Sequence, residues 1–143
     1  MKKIAIGSDH AGYQLKEKLA LWLRENSFDV ADFGTDSDVA VDYPDIVHPL
    51  CRQVEKDDQM TGILLCGSGN GVAMAANKHQ GIRAAVCWDA EIASLAKEHN
   101  DANVICLPAR FIDFEKAKEI INAFGGTEFA GGRHLDRVKK IPV

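Results

Sequence analysis

A chain of 143 residues and 15.6 kDa fits one domain over positions 1–143, large enough to bury a core without a metal or disulfide to hold it together. Hydrophobic residues at 46% and charged residues at 27% exclude wholesale disorder. A net charge of −4 excludes the generally basic surface that nucleic acid or an anionic membrane requires.

Short apolar runs then alternate with amphipathic segments along the whole chain. Lys3–Ile6 reads as a first strand, and Gln14–Arg24 as a helix with Leu15, Leu19, Trp22 and Leu23 at helical spacing, so that Trp22 is expected in the core. Phe28–Phe33 alternates as a second strand. An acidic, turn-rich stretch (Asp32, Asp36, Asp38, Asp42, Asp45) leads to Pro44, which suits a first helical turn, and Ile46, Val47, Leu50 and Val54 give that helix its apolar face. Ile63–Cys66 is a continuous apolar run, expected as a buried central strand, and it opens directly into Gly67-Ser68-Gly69-Asn70-Gly71 and a short helix over Val72–Ala76. Arg83–Trp88 and Asn103–Leu107 complete five strands, with helices over Ala90–Glu98, Phe114–Phe124 and, after two double glycines, Leu135–Lys140. Such alternation predicts an α/β fold with a parallel sheet covered on both faces. No repeat, linker or apolar run of membrane-spanning length is present, and the N-terminal apolar stretch is too short for a signal peptide.

Ligands of open α/β sheets bind outside the carboxyl ends of the strands. That rule directs attention first to Cys66–Gly71. Its glycines let successive amides converge on one spot at the start of a helix, a field that favours a thiolate at Cys66 or an oxyanion on a bound ligand. A plain strand-to-helix turn explains the same residues, and Ser68 serves equally as a helix cap. The dinucleotide fingerprint fails, because its third glycine falls on Val72, although Asp89 stands where a ribose-binding acid would. Asp9 and His10 follow the first strand; position alone leaves open a cap for the next helix or a carboxylate and imidazole at the ligand edge. His99 and Asn100 close the fourth helix, as favourable C-terminal residues or as an acid–base and an orienting donor.

The tail is basic, with Arg133, Arg137, Lys139 and Lys140 against Asp136 alone. Arg133 and Arg137, four apart, share a helical face and suit a small phosphate monoester better than a polyanion, and Arg110, just beyond the fifth strand, either joins them or pairs with the acidic loop. Cys51, Cys87 and Cys106 read as core fillers, and with no two cysteines closer than 15 positions a zinc-type spacing is missing. The thiols are read as reduced, in a cytoplasmic protein. His48 and His79 have no partner in the pattern and are read as surface or packing residues.

Seven segments in order resemble the B-type ribose-5-phosphate isomerase family, which includes galactose-6-phosphate and allose-6-phosphate isomerases: Gly7–Gly12 (GSDHAG), Asp42–Pro44 (DYP), Gly62–Gly71 (GILLCGSGNG), Ala76–Lys78 (ANK), Gly81–Ala84 (GIRA), His99–Asn103 (HNDAN) and Gly131–Arg137 (GGRHLDR). The resemblance spans nearly the whole chain. It implies a three-layer α/β/α Rossmann-like domain with a five-stranded parallel sheet and metal-free, cofactor-free interconversion of ribose 5-phosphate and ribulose 5-phosphate through a cis-enediolate. Six-carbon allose or galactose 6-phosphate is the alternative substrate, and a nucleotide-binding module the remoter one. Some relatives carry a glutamate base directly after the glycine loop; here Val72 stands there, so the resemblance implies Cys66 as base with Ser68 assisting. Asp9 and His99 would open the sugar ring. Gly67, Gly69, Asn70 and Gly71 would surround the enediolate, and His10, Arg110, Arg133 and Arg137 the phosphate. His99 and Asn100 would reach in from a partner subunit, which implies a homodimer or a pair of dimers, with neither nucleic acid nor membrane as partner.

Overall fold

The computed structural model describes residues 2–143. In chain order they form β1 (Lys3–Ser8), α1 (Tyr13–Glu25), β2 (Asp29–Asp32), α2 (Tyr43–Lys56), β3 (Met60–Cys66), α3 (Asn70–Ala76), β4 (Ala84–Val86), α4 (Ala90–Asn100), β5 (Val104–Pro108), α5 (Phe114–Gly125) and α6 (Arg133–Lys139). The sheet has five strands in the order β2-β1-β3-β5-β4, and every neighbouring pair is parallel. The order reverses between β1 and β3: the chain steps outward to β2, then returns past β1. That reversal parts the loops above the strand ends and makes room for a ligand.

Strand side chains alternate between two apolar layers. Ile4, Ile6, Ile63, Leu65, Ile105 and Leu107 face α1, α4 and α5 through Leu19, Leu23, Ala93, Ile120, Ile121 and Phe124. Ala5, Leu64, Cys66, Val104 and Cys106 face α2 and α3 through Val47, Leu50, Val54, Val72 and Ala76. The result is the expected three-layer α/β/α arrangement. Each Leu or Ile removed from water contributes about 1.5–3 kcal/mol, which is why both faces of β1, β3 and β5 are apolar.

Several boundaries differ from the sequence reading, for local reasons. Phe28 lies outside β2 because its N–H donates to Leu23 O (3.0 Å), closing α1 over Ser27 at φ 68°. β4 is three residues long and α6 starts at Arg133. Asp101, not Asn100, takes the left-handed position that ends α4. Trp22 packs against the α1-side core but is only half-buried. His48 and His79 are partnered after all: Nδ1 of His48 lies 2.7 Å from Nε2 of His79, whose Nδ1 faces Glu55 Oε2 at 3.3 Å.

Candidate active site

Five loops emerge at the carboxyl edge of the sheet, and hydrogen bonds join three of them around Cys66. Its carbonyl accepts from Ala109 N (2.9 Å), and that of Gly67 from Arg110 N (3.0 Å). These bonds tie the loop after β5 to the glycine loop after β3. Arg110 then folds across it, its guanidinium 3.1–3.3 Å from where a Cβ on Gly67 would stand. Asp9 N donates to Leu65 O (3.2 Å), bringing the end of β1 alongside.

Inside the glycine loop, Gly69 N–H donates to Cys66 Sγ at 3.1 Å, and Asn70 N–H to Ser68 Oγ at 3.3 Å. Two of the amides expected to surround a substrate oxyanion thus bond side chains of their own loop, one of them the buried sulfur. Gly69 has φ +78°, a conformation that glycine takes without strain and that turns its amide back. Cys66 keeps 6% exposure, where Cys51, Cys87 and Cys106 keep none. Burial pushes the thiols of Cys51 and Cys87 up to about 12 and that of Cys106 well above its ordinary value, so these three stay neutral core residues. All four are free thiols.

Asp9 lies at the carboxyl edge and does not cap α1, whose N-cap is Gly12 without a side-chain bond. Its Oδ1 accepts from Ala11 N (2.9 Å) and Gly12 N (3.1 Å), fixing the turn into α1 at the ligand edge. His10 accepts at Nδ1 from Val41 N (3.2 Å), in the loop after β2. Tyr43, the first residue of α2, borders the glycine loop, a contact that the sequence reading missed. Its ring lies against Gly71, where a Cβ would stand 2.7 Å from Cζ. The only sequence sign of this is its place in the Asp42–Pro44 segment. Beside the loop, Ser68, Asn70, Val86, Trp88, Pro108, Phe111 and Ile112 line a depression of about 540 Å³. Trp88 and Phe111 remain 55% and 77% exposed on its rim. Asp89 caps α4, its Oδ1 accepting from Glu91 N (3.0 Å).

His99, Asn100, Arg133 and Arg137 are not with Cys66. α4 begins at the carboxyl end of β4 and returns to the amino end of β5, so His99 and Asn100 lie at the opposite edge of the sheet. α6 packs on α4, with Ala130 N bonded to Glu98 O (2.9 Å). His134 stacks on His99 with centroids 4.4 Å apart and planes 9° from parallel. Partial desolvation of the ring, then the charges of His99, Arg133 and Arg137, holds His134 below its ordinary pKa. Each chain therefore carries two separate clusters: a thiol, carboxylate and imidazole at the carboxyl edge, and a cationic cluster at the amino edge. Arg110 belongs to the first. Among the described residues, no group of three or more His, Cys, Asp or Glu side chains is arranged to hold a metal ion, and no helix is long and apolar enough to cross a membrane.

Residues 4–141 match a family model described as Ribose/Galactose Isomerase. Ribose-5-phosphate isomerase B of Escherichia coli is 43% identical over 141 residues, covering 99% of this chain and 95% of that protein. A ribose 5-phosphate isomerase structure from Thermotoga maritima superposes with a TM-score of 0.96 at 46% identity, covering 98% of this chain and 97% of the other. The structure of ribose-5-phosphate isomerase B from Mycoplasma genitalium with bound ribulose-5-phosphate gives 0.93 at 40% identity, covering 97% and 93%.

Proposed function

The chain belongs to the ribose/galactose isomerase family, and from that membership we infer the role of each cluster in the aldose–ketose isomerisation of a sugar phosphate, ribose 5-phosphate to ribulose 5-phosphate. The observation that carries the assignment of the base is the Gly69 amide on Cys66 Sγ. In the open-chain aldose, the Cys66 thiolate takes the proton from C2. The C2–H electron pair forms the C1=C2 bond, and the O1 carbonyl becomes an enediolate oxygen. Ser68 carries a proton between O2 and O1, the C2 carbonyl forms, and the Cys66 thiol returns its proton to C1. Developing charge on the oxygens needs donors in place before the step, and the remaining amides of the Gly67–Gly71 loop supply them. Val72 is buried and apolar and takes no proton.

Asp9 and His99 open the ring, one accepting the O1 hydroxyl proton and the other donating to the ring oxygen. Asn100 orients the substrate, while His10, Arg110, Arg133 and Arg137 hold the phosphate. Because these groups occupy opposite edges of one chain, a second copy must supply His99, Asn100, Arg133 and Arg137. The exposed Trp88 and Phe111 beside the glycine loop are apolar surface fit for that copy to cover. The assembly is a homodimer or a pair of dimers. Free thiols fit a reducing compartment, and the cytoplasm is the proposed location.

The test compares ribose 5-phosphate, allose 6-phosphate and galactose 6-phosphate with wild-type protein and Cys66→Ala. Wild type turns over the five-carbon ester fastest. Cys66→Ala loses exchange of solvent deuterium into C2 while still binding the ester. Full activity in Cys66→Ala would remove the thiol from the base role.

A further inference from the structure

An uncharged imidazole donates at one ring nitrogen and accepts at the other according to its tautomer, and the fold has a device that selects one for His10. The loop after β2 is rooted on α1 by Lys16, fully buried, whose Nζ donates to Asp32 Oδ1 (2.9 Å) and Oδ2 (2.8 Å) and to Glu17 Oε1 (2.7 Å). Asp32 Oδ1 in turn accepts from Gly34 N (2.8 Å). Gly34 O and Thr35 N then bond to Ser8 N and Ser8 O at 2.8 and 2.9 Å, stitching the loop to the end of β1. After that fixed root the chain runs past exposed Val39 and turns back, so that Val41 N–H meets His10 Nδ1 at 3.2 Å.

A backbone N–H only donates, so Nδ1 must present its lone pair and the ring hydrogen must sit on Nε2. We propose that the Val41 amide is a positioning group that holds His10 as the Nε2–H tautomer, so that Nε2 donates to the anionic end of the substrate. This rests on the reading of His10 as a phosphate-holding residue. The opposite tautomer would turn an acceptor toward the phosphate oxygens and set two N–H groups against each other at Val41. Val41 acts through its main-chain N–H, which any residue but proline supplies. The loop after β2 thereby becomes part of substrate recognition through a main-chain amide, and the Lys16–Asp32 pair supports its root.

The experiment has two arms. The first is a long-range ¹H–¹⁵N spectrum of the wild-type protein, with His10 assigned by its loss in His10→Gln. Neutral His10 is expected with hydrogen on Nε2 and a bare Nδ1; hydrogen on Nδ1 overturns the proposal, whatever the substrate does. The second arm is kinetic. Val41→Pro deletes the one donor and should raise KM for ribose 5-phosphate about tenfold with kcat changed about twofold or less, the loss of one well-aimed hydrogen bond to a charged group. Val41→Ala keeps the amide and should keep the wild-type KM. If Val41→Pro fails to fold, His10→Gln against His10→Asn replaces it: glutamine places a donor where Nε2 stands and asparagine where Nδ1 stands, so Gln should retain the lower KM. A lower KM for Asn overturns the proposal. An unchanged KM in His10→Ala instead removes His10 from the phosphate site, a failure of the substrate reading that the tautomer spectrum does not share.

Discussion

Gly71→Ala is the substitution whose consequence can be worked most fully from the coordinates. A methyl at position 71 would stand 2.7 Å from Cζ of Tyr43 and 3.0 Å from both Cε atoms. Carbon pairs rest at about 3.5–4.0 Å, so the ring must retreat by about 1 Å. Tyr43 is the first residue of α2, so its retreat either rotates the side chain off its rotamer or pulls on the start of that helix. Overpacking of this kind costs about 1–3 kcal/mol, which for a chain of this size lowers Tm by about 3–9 °C. If the glycine loop yields instead, Cys66 moves relative to C2 of the substrate, and a displacement of about 1 Å costs on the order of 100-fold in kcat. The assay is thermal unfolding together with steady-state isomerisation, on Gly71→Ala, Tyr43→Ala and the double variant. Removing the ring removes the clash, so the double variant should recover much of the loss attributable to Gly71→Ala, a coupling that a cycle measures directly. Wild-type Tm and kcat in Gly71→Ala, or strictly additive losses in the double variant, would refute the reasoning.

Two further expectations concern the support of the site. Lys16 is fully buried, and its bonds to Asp32 and Glu17 outweigh desolvation, so its folded pKa is raised above the ordinary 10.5. The stability it contributes is complete below about 10.5 and is lost as pH rises through the raised value. Urea unfolding should therefore show an alkaline loss that Lys16→Met lacks. At pH 7 the same variant should be less stable by about 2–3 kcal/mol, short of the full cost of breaking a buried pair because Asp32 keeps 26% side-chain exposure; equal stability would contradict the pair's importance. Ser8 Oγ is buried with no hydrogen-bond partner among the described residues. Ser8→Ala removes that unpaired hydroxyl and should raise stability by about 1 kcal/mol in the same measurement; a clear loss would mean the hydroxyl has a partner, such as a bound water.

The central strands β3 and β5 were announced by apolar runs because burial on both faces of a parallel sheet leaves an unbroken hydrophobic signature in Ile63–Cys66 and Val104–Leu107. Strand order was not legible, since alternation of apolar segments reports burial and says nothing of which neighbour a strand pairs with. β2 reads too long because Phe28 is as apolar as a strand residue yet serves to close α1. Long-range side-chain pairs were equally hidden. Nothing local links His48 to His79, 31 positions on, or Tyr43 to Gly71. At the site, the glycine loop, Asp9 and His10 were legible from the rule that ligands lie beyond strand carboxyl ends. That Arg133 and Arg137 stand with His99 and not with Cys66 was not legible, since it depends on α6 returning to pack on α4. The direction of α4, by contrast, was implicit in the alternation of strands and helices, and it alone carries His99 away from Cys66.

The central claim is that one chain's carboxyl edge and another chain's amino edge make each active site. Cys66→Ala and His99→Asn should each be inactive alone, because each spoils every site of a homodimer. Co-expressed in equal amounts, with random pairing, half the dimers are mixed and each mixed dimer has one intact site of two, so activity should return to about a quarter of wild type. Recovery to that level is the predicted result. No recovery, in mixed dimers verified by tag-specific purification, would show that Cys66 and His99 must come from the same chain and would contradict the account.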